Sequence, residues 1–323
     1  MKRILPLLIV FCLLLPPFAQ TEWFKGNTHT HTTESDGDSP PETAVKWYRD
    51  HNYNFVVITD HNINADVDSL NEMFGISGSF IIIPGNEISA SSENKSVHMN
   101  ALNISQPLKA QNEKTIVATL QRNIDLIRDA EGIVQICHPN FTWAFGSEEL
   151  LQVHGYYLLE IYNFHPIVNN WGGGGMTSTE EIWDVLLSRG KKVYGVASDD
   201  THSFKVFSPD HANPGKGWVC VRCDALTVEN VISALSKGDF YFSSGVELND
   251  IRVTEKSLTV DIKPSKNVKY TIEFIGKDGL ILDRQFESVS LYRFSGEEKY
   301  VRARIVDSNG RGAWTQPVFI DSR

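Results

Sequence analysis

Positive charge is scarce beyond the first few residues. The chain of 323 residues carries 30 Lys and Arg against 40 Asp and Glu, and no basic run occurs after residue 20. Generic binding of a nucleic-acid polymer, which relies on clustered Lys and Arg to neutralise phosphates, is therefore not expected. Cysteine is scarce too: Cys12 lies in an apolar N-terminal run, which leaves Cys137, Cys220 and Cys223, an odd number. Cys220 and Cys223 have CxxC spacing within GWVCVRC, but no second CxxC and no nearby His accompany them. They read as strand residues rather than a zinc knuckle.

Long apolar runs are limited to Ile4 to Leu15, preceded by Lys2 and Arg3 and followed by Pro16, Pro17, Phe18 and Ala19. The run is shorter than the roughly 20 residues a spanning helix needs, and Pro6 interrupts it. A basic start, a short apolar stretch and a small residue form the layout of a secretory signal. Residues 1–20 are thus expected to be removed near Ala19, giving an exported, periplasmic or extracellular chain with no stable membrane insertion. Losing Lys2 and Arg3 moves the formal net charge from −10 to −12. Low-complexity sequence is confined to the flexible loop Gly172 to Gly175.

What is present is a regular alternation. Strand-like runs occur at Trp23 to Thr30, Phe55 to Thr59, Phe80 to Pro84, Val97 to Ile104, Ile133 to Cys137, Tyr157 to Tyr162 and Lys192 to Ala197. Between and after them fall amphipathic stretches at Glu42 to Arg49, Thr115 to Ala130, Ser147 to Val153, Thr179 to Arg189 and Val228 to Lys237. Repeated βα units predict an α/β fold built on parallel strands over residues 21–245. From about residue 246 helical periodicity gives way to alternating segments such as SLTVDIK, YTIEFIG and KYVRARIVD. Residues 246–323 are expected to form a small β-sandwich-like accessory domain.

His, Asp and Glu collect just past the strand ends. The first run leads into THTHT, where alternation puts His29 and His31 on one face, and Asp36 follows in TTESDGD. VVITDHN supplies His61, IIIPGNEIS supplies Glu87, VHMNAL supplies His98, QICHPN supplies His138, and VASDDTH supplies Asp200 and His202. In a barrel of parallel strands those ends converge on one mouth. Nine N and O donors are too many for one ion and suit two or three that share a bridging carboxylate. Left unpaired, so many buried polar groups would be costly. His51, His154 and Asp60 read as structural, whereas His165 and His211 are candidates for the pocket wall, and Glu160 and Asn163, which end the sixth strand, for a contact with substrate or a place supporting the metal ligands. Lys205, Lys216 and Arg222 are candidate phosphate contacts. The loops 140–146, 165–175 and 204–218 are expected to shape the pocket.

This ordered set, THTHT with Asp36, ITDHN, PGNE, VHMNAL, CHPN and SDDTH, resembles the polymerase and histidinol phosphatase (PHP) superfamily over roughly residues 23–245. The resemblance implies a distorted seven-stranded (β/α)7 barrel holding two or three divalent ions such as Zn, Mn or Fe. It implies one ion on His29, His31, Glu87 and Asp200, a second on Glu87, His98 and His138, and a third on Asp36, His61 and His202. The sequence departs from the pattern in having Asp199 before Asp200, and DxH spacing to His202 favours Asp200. The expected activity is hydrolysis of a small-molecule phosphate mono- or diester by metal-activated hydroxide, the pKa of bound water falling from 15.7 to as little as ~7. Asp200, His61 and His202 are the expected catalytic groups, either histidine protonating the leaving group. Two alternatives remain: a PHP-type metallohydrolase cleaving an ester, amide or carbamate, and a metal-stabilised glycan or cell-wall binding protein without turnover.

Overall fold

A computed structural model describes residues 22–320, so the expected signal segment and its cleavage point lie outside the described residues. Among the described residues no helix is long and apolar enough to cross a membrane.

The chain opens with β1 (Glu22–Asn27), α1 (Pro41–Asp50) and β2 (Phe55–Ile58). Pro40 and Pro41 start α1, where a fixed φ and a missing N–H cost nothing. A short helix that periodicity does not reveal, α2 (Val67–Phe74), follows and is capped by Asp66, which accepts from the Ser69 N–H. Next come β3 (Ile81–Ser92), β4 (Lys95–Leu102), α3 (Ile116–Asp129), β5 (Ile133–Ile136), α4 (Ser147–Gln152) and β6 (Leu158–Asn163). The unit is completed by α5 (Thr179–Ser188), β7 (Tyr194–Ser198), β8 (Trp218–Cys223), α6 (Val228–Lys237) and β9 (Phe240–Ser243). The helix starts sit close to their expected places. The cap of α5 is Ser178, because Ser178 and Glu181 satisfy each other's backbone N–H groups in a capping box.

The strands β1 to β7 lie in chain order in one large sheet, with β1, β2 and β3 parallel and β5, β6 and β7 parallel. Two expectations need correction. First, β4 is antiparallel to both neighbours. The two-residue connection Glu93-Asn94 has positive φ at both positions (52° and 59°), the geometry of a tight hairpin turn whose twist matches that of the strands. A chain that turns back after two residues cannot run parallel. Second, the sheet does not close into a seven-stranded barrel. One edge of β1 pairs with β2 and the other with β8, over Glu22 to Gly26, so β7 finds no free edge to pair with. β7 ends the sheet, and its continuation meets the end of β1 only at an isolated bridge between Thr30 and Thr201.

Beyond β9 the chain forms β10 (Leu248–Thr254), β11 (Ser257–Ile262), β12 (Tyr270–Ile275), β13 (Ile281–Gln285), β14 (Val289–Arg293), β15 (Tyr300–Asp307), β16 (Gly312–Thr315) and β17 (Val318–Phe319). β10, β11 and β14 make a separate three-stranded sheet. β16 pairs with β9, so β16, β15, β12 and β13 extend the large sheet. The apolar interior crosses from the N-terminal to the C-terminal part: Ala44, Val56 and Ile58 share one buried cluster with Val260, Phe274 and Val301. A buried polar clasp joins the same parts. Arg302 on β15 is fully buried and grips Asp184 of α5 bidentately (2.8 and 2.7 Å), with Glu180 at 2.8 Å and the Tyr300 hydroxyl donating to Asp184 at 2.8 Å.

Candidate metal centre

All nine candidate ligands meet at one end of the sheet. β1 stops at Asn27, and THTHT runs on as extended chain, pinned where the His31 N–H donates to the Thr201 carbonyl at 2.9 Å. His29 and His31 still point the same way, because their Nε2 atoms both face Asp200 Oδ1, at 3.3 and 3.2 Å. Because β4 is reversed, its early residue His98 reaches the mouth that the parallel strands reach with their C-terminal ends, beside Glu87 of β3 (Nδ1 to Oε1 3.0 Å). His138 and Asp200 follow β5 and β7 in the left-handed region, with φ of 23° and 47°. Non-glycine residues held there cost of order 1–3 kcal/mol each and tend to persist at functional sites.

The donors fall into overlapping groups, each compact enough for one ion: His29, His31 and Glu87; His29, His138 and Asp200; His61, Glu87 and His98; and His31, Asp36, His61 and His202. A tetrahedral ion with bonds of ~2.0–2.1 Å sets its ligand atoms about 3.3 Å apart. The observed separations lie close to that value: His29 to Glu87 is 3.6 Å, His31 to Glu87 3.4 Å, His61 to Asp36 3.4 Å and His202 to Asp36 3.3 Å. Meanwhile His29 Nε2 and His31 Nε2 are fully buried with no hydrogen-bond partner. Orphaned buried nitrogens aimed at carboxylate oxygens across one tetrahedral edge fit a cation between them. The donor set suits Zn, Mn or Fe alike.

The layer behind the donors is satisfied. Glu160, buried on β6, faces His29 Nδ1 at 2.7 Å and also accepts from the His138 N–H (2.8 Å), Asn163 (2.9 Å) and Ser198 (2.6 Å). With Nδ1 held there, His29 is turned so that Nε2 faces the cluster. Asn163 also donates to Asp200 at 3.1 Å. Asp60 turns away and ties the THTHT loop, accepting from the Thr32 N–H at 2.8 Å and the Thr32 hydroxyl at 2.7 Å. Asp199 likewise turns away, accepting from the N–H groups of Gly215, Lys216 and Gly217 at 2.8, 2.6 and 2.8 Å. This separates its place from that of Asp200. Cys137 also approaches His29 and Glu160, but burial pushes its thiol pKa well up and keeps it neutral.

Electrostatics follow from the crowding. Burial lowers the pKa of His31 to about 4, leaving a neutral ring. Burial also opposes charge on His61, yet Asp36 and Glu87 outweigh it and push His61 up to about 10. His29, His138 and His202 are raised in the same sense by neighbouring carboxylates, against the effect of burial. Imidazoles must lose their protons to bind metal. Metal uptake is therefore expected to release protons and to weaken as pH falls below about 10, by about tenfold per pH unit for each proton displaced. Calorimetric titration of Mn²⁺ or Zn²⁺ in buffers of different ionisation enthalpy measures the release directly.

The mouth is a cavity of about 160 Å³ lined by Asp36, His61, Glu87, His98, His138, Asp200 and His202, with Phe141, His165 and Ile167 as the opposing wall. His165, half-buried with an unpartnered Nδ1, thus belongs to the pocket. Of the proposed phosphate contacts, Arg222 is committed elsewhere, to the Ile251 carbonyl and Asp250. Lys216 lies over the Phe164 ring. Neither these two nor Lys205 lines the cavity, and His51, His154 and His211 also stand outside it.

No protein-family model matches the chain. A stretch of 77 residues, 24% of this chain, is 40% identical to the 5'-3' exoribonuclease Rnm of Salmonella typhimurium and 39% identical to that of Escherichia coli. The chain spans about a quarter of the length of these relatives (26%). Among solved structures, a two-domain protein of Bacteroides vulgatus containing a predicted PHP-like metal-dependent phosphoesterase superposes with a TM-score of 0.54 at 14% identity, covering 92% of this chain and 95% of that one. The chain accordingly shares the fold of that two-domain protein.

Proposed function

We propose that the chain is a hydrolase of phosphate mono- or diesters that works with two or three divalent ions. His29, His31, Glu87 and Asp200 would hold one, Glu87, His98 and His138 a second, and Asp36, His61 and His202 a third. The observation that carries this reading is the pair of orphaned Nε2 atoms, on His29 and His31, facing Glu87 and Asp200 at ligand-to-ligand spacing. Bound there, divalent ions supply an acidified water and neutralise charge on phosphoryl oxygens.

The chain's own groups do the rest. Glu160 fixes the tautomer of His29, and Asn163 steadies Asp200. His61 and His202, with side chains 26% and 20% exposed, stand on the open side of the cluster; with two ions bound, and the group of Asp36, His61 and His202 free of metal, either can deliver a proton to a departing alkoxide. Structural metal sites are closed, so ligands that border an open cavity favour turnover over a purely structural role. Glu87 in the bridging position, where many carbonyl-cleaving amidohydrolases carry a modified lysine, favours phosphorus over carbon as the centre attacked. On the basic, apolar and small-residue layout of residues 1–20, we place the mature chain outside the cytoplasm.

Metal analysis of residues 21–323, coupled to turnover of p-nitrophenyl phosphate, bis-p-nitrophenyl phosphate and p-nitrophenyl acetate, tests the reading. Two or three ions per chain with chelator-sensitive phosphoester cleavage is the expected result. Turnover of the acetate alone transfers the function to ester, amide or carbamate bonds, and a fully loaded protein that turns over none of the three points to glycan or cell-wall binding.

A further inference from the structure

The wall facing the metal ligands narrows the substrate class. We propose that Phe141 and Ile167 form a specificity wall for a monophosphate ester of a planar or apolar alcohol, and that the cavity disfavours substrates bearing a second phosphate or a nucleic-acid chain. The inference rests on the phosphoesterase reading above and refines it.

The wall is built rather than loose. Phe141 pairs with Val168 at an isolated bridge, so the loops after β5 and β6 are stitched together across the cavity. Asn140 donates from its side chain to the carbonyls of Asn169 and Thr177, both at 2.9 Å, and Asn169 donates back to Asn140 at 3.3 Å. The Phe141 ring is framed by histidine rings, with centroids 5.3 Å from His138, 6.4 Å from His98 and 6.4 Å from His165. Ile167 is 58% exposed and still borders the cavity, an apolar side chain left facing solvent beside a polar cluster. Aromatic and aliphatic surface held rigidly beside the reacting centre favours a leaving group that can cover it.

The charge pattern points the same way. Among the described residues no Lys or Arg lines the cavity, whereas Asp36, Glu87 and Asp200 do. The nearby Lys95 ammonium is taken up by the Thr142 carbonyl at 2.7 Å. One phosphate can be neutralised by the ions; a second, or the backbone of an RNA, would meet no cationic side chain within the cavity.

Kinetics of the metal-loaded protein on phenyl phosphate, glycerol 2-phosphate, adenosine 3',5'-bisphosphate and a 5'-phosphorylated oligoribonucleotide test the proposal. Phenyl phosphate should be the best of the four. Ile167→Ala, at an exposed position, and the milder Phe141→Leu should each lower kcat/KM for phenyl phosphate by about tenfold, through KM, and affect glycerol 2-phosphate far less. Calorimetry of benzylphosphonate against methylphosphonate gives a second readout independent of turnover: tighter binding of the benzyl compound, lost in Ile167→Ala, supports the wall. Preference for the bisphosphate or the oligoribonucleotide, above all one that Lys205→Ala abolishes, overturns the proposal, as does equal sensitivity of both small esters to the two variants. If no ester turns over, the phosphoesterase reading fails, and the calorimetric comparison still decides whether the wall binds aryl groups.

Discussion

Glu87→Gln is expected to empty the metal centre and to lower phosphoester turnover by about three orders of magnitude. Its carboxylate lies within 3.6 Å of donor nitrogens on five histidines: His29, His31, His61, His98 and His138. Asp36 approaches three histidines and Asp200 four, so Glu87 is the most widely shared carboxylate of the cluster. Removing a partner one layer behind a ligand already costs some 10–100-fold in affinity or activity, and a bridging carboxylate contributes both a bond and a compensating charge. Glutamine keeps the shape and removes the negative charge. Metal content per chain and kcat/KM, measured together, check the result: full occupancy with normal turnover would refute the bridging role. The charge also governs protonation. Burial alone would raise the Glu87 pKa, but the surrounding histidines hold it well below the usual carboxylate range.

The second large effect concerns stability. Arg302→Met is expected to destabilise the fold by about 3–5 kcal/mol, because it strands Asp184 in the interior with the Tyr300 hydroxyl as its remaining side-chain donor. Burying an unpaired carboxylate costs more than the ion pair itself contributes. Hence a double variant, Asp184→Leu with Arg302→Met, should recover much of the loss. Chemical denaturation of the two variants and the parent gives the comparison. Equal stability of single and double variants would show that lost packing, not the stranded charge, dominates. None of the clasp residues lines the mouth cavity, so ion content should be unchanged in both.

The elements that could be read from the sequence are those whose identity is set by local periodicity. The apolar runs of β2 and β5 and the amphipathic α3, α5 and α6 appear close to their expected bounds. The mouth residues were legible for a different reason: polar ionisable groups after apolar runs have few stable explanations. The direction of β4 was hidden because its turn uses Glu93 and Asn94, with no glycine to announce positive φ. The open sheet was hidden because GWVCVRC shows that β8 is a strand and says nothing of which edge it takes. That β8 occupies β1 and displaces β7 is a property of long-range pairing. The DxH spacing picked Asp200 over Asp199, and the buried cradle of backbone N–H groups around Asp199 gives the physical reason. Phe141 and Ile167 sit on loops, where no period marks a residue for the pocket.

The hand-over of the sheet from β9 to β16 limits how such a chain can be rearranged by recombination. Phe242 and Trp314 stack across that pairing with ring centroids 5.1 Å apart, so a break near residue 245 would bare both a row of backbone donors and acceptors and an aromatic face. The C-terminal strands behave less like a cassette that can be exchanged or deleted than like the sealing course of the same wall. Gene fusions or swaps that respect this chain's architecture would have to travel with Phe240–Ser243 and Gly312–Thr315 together.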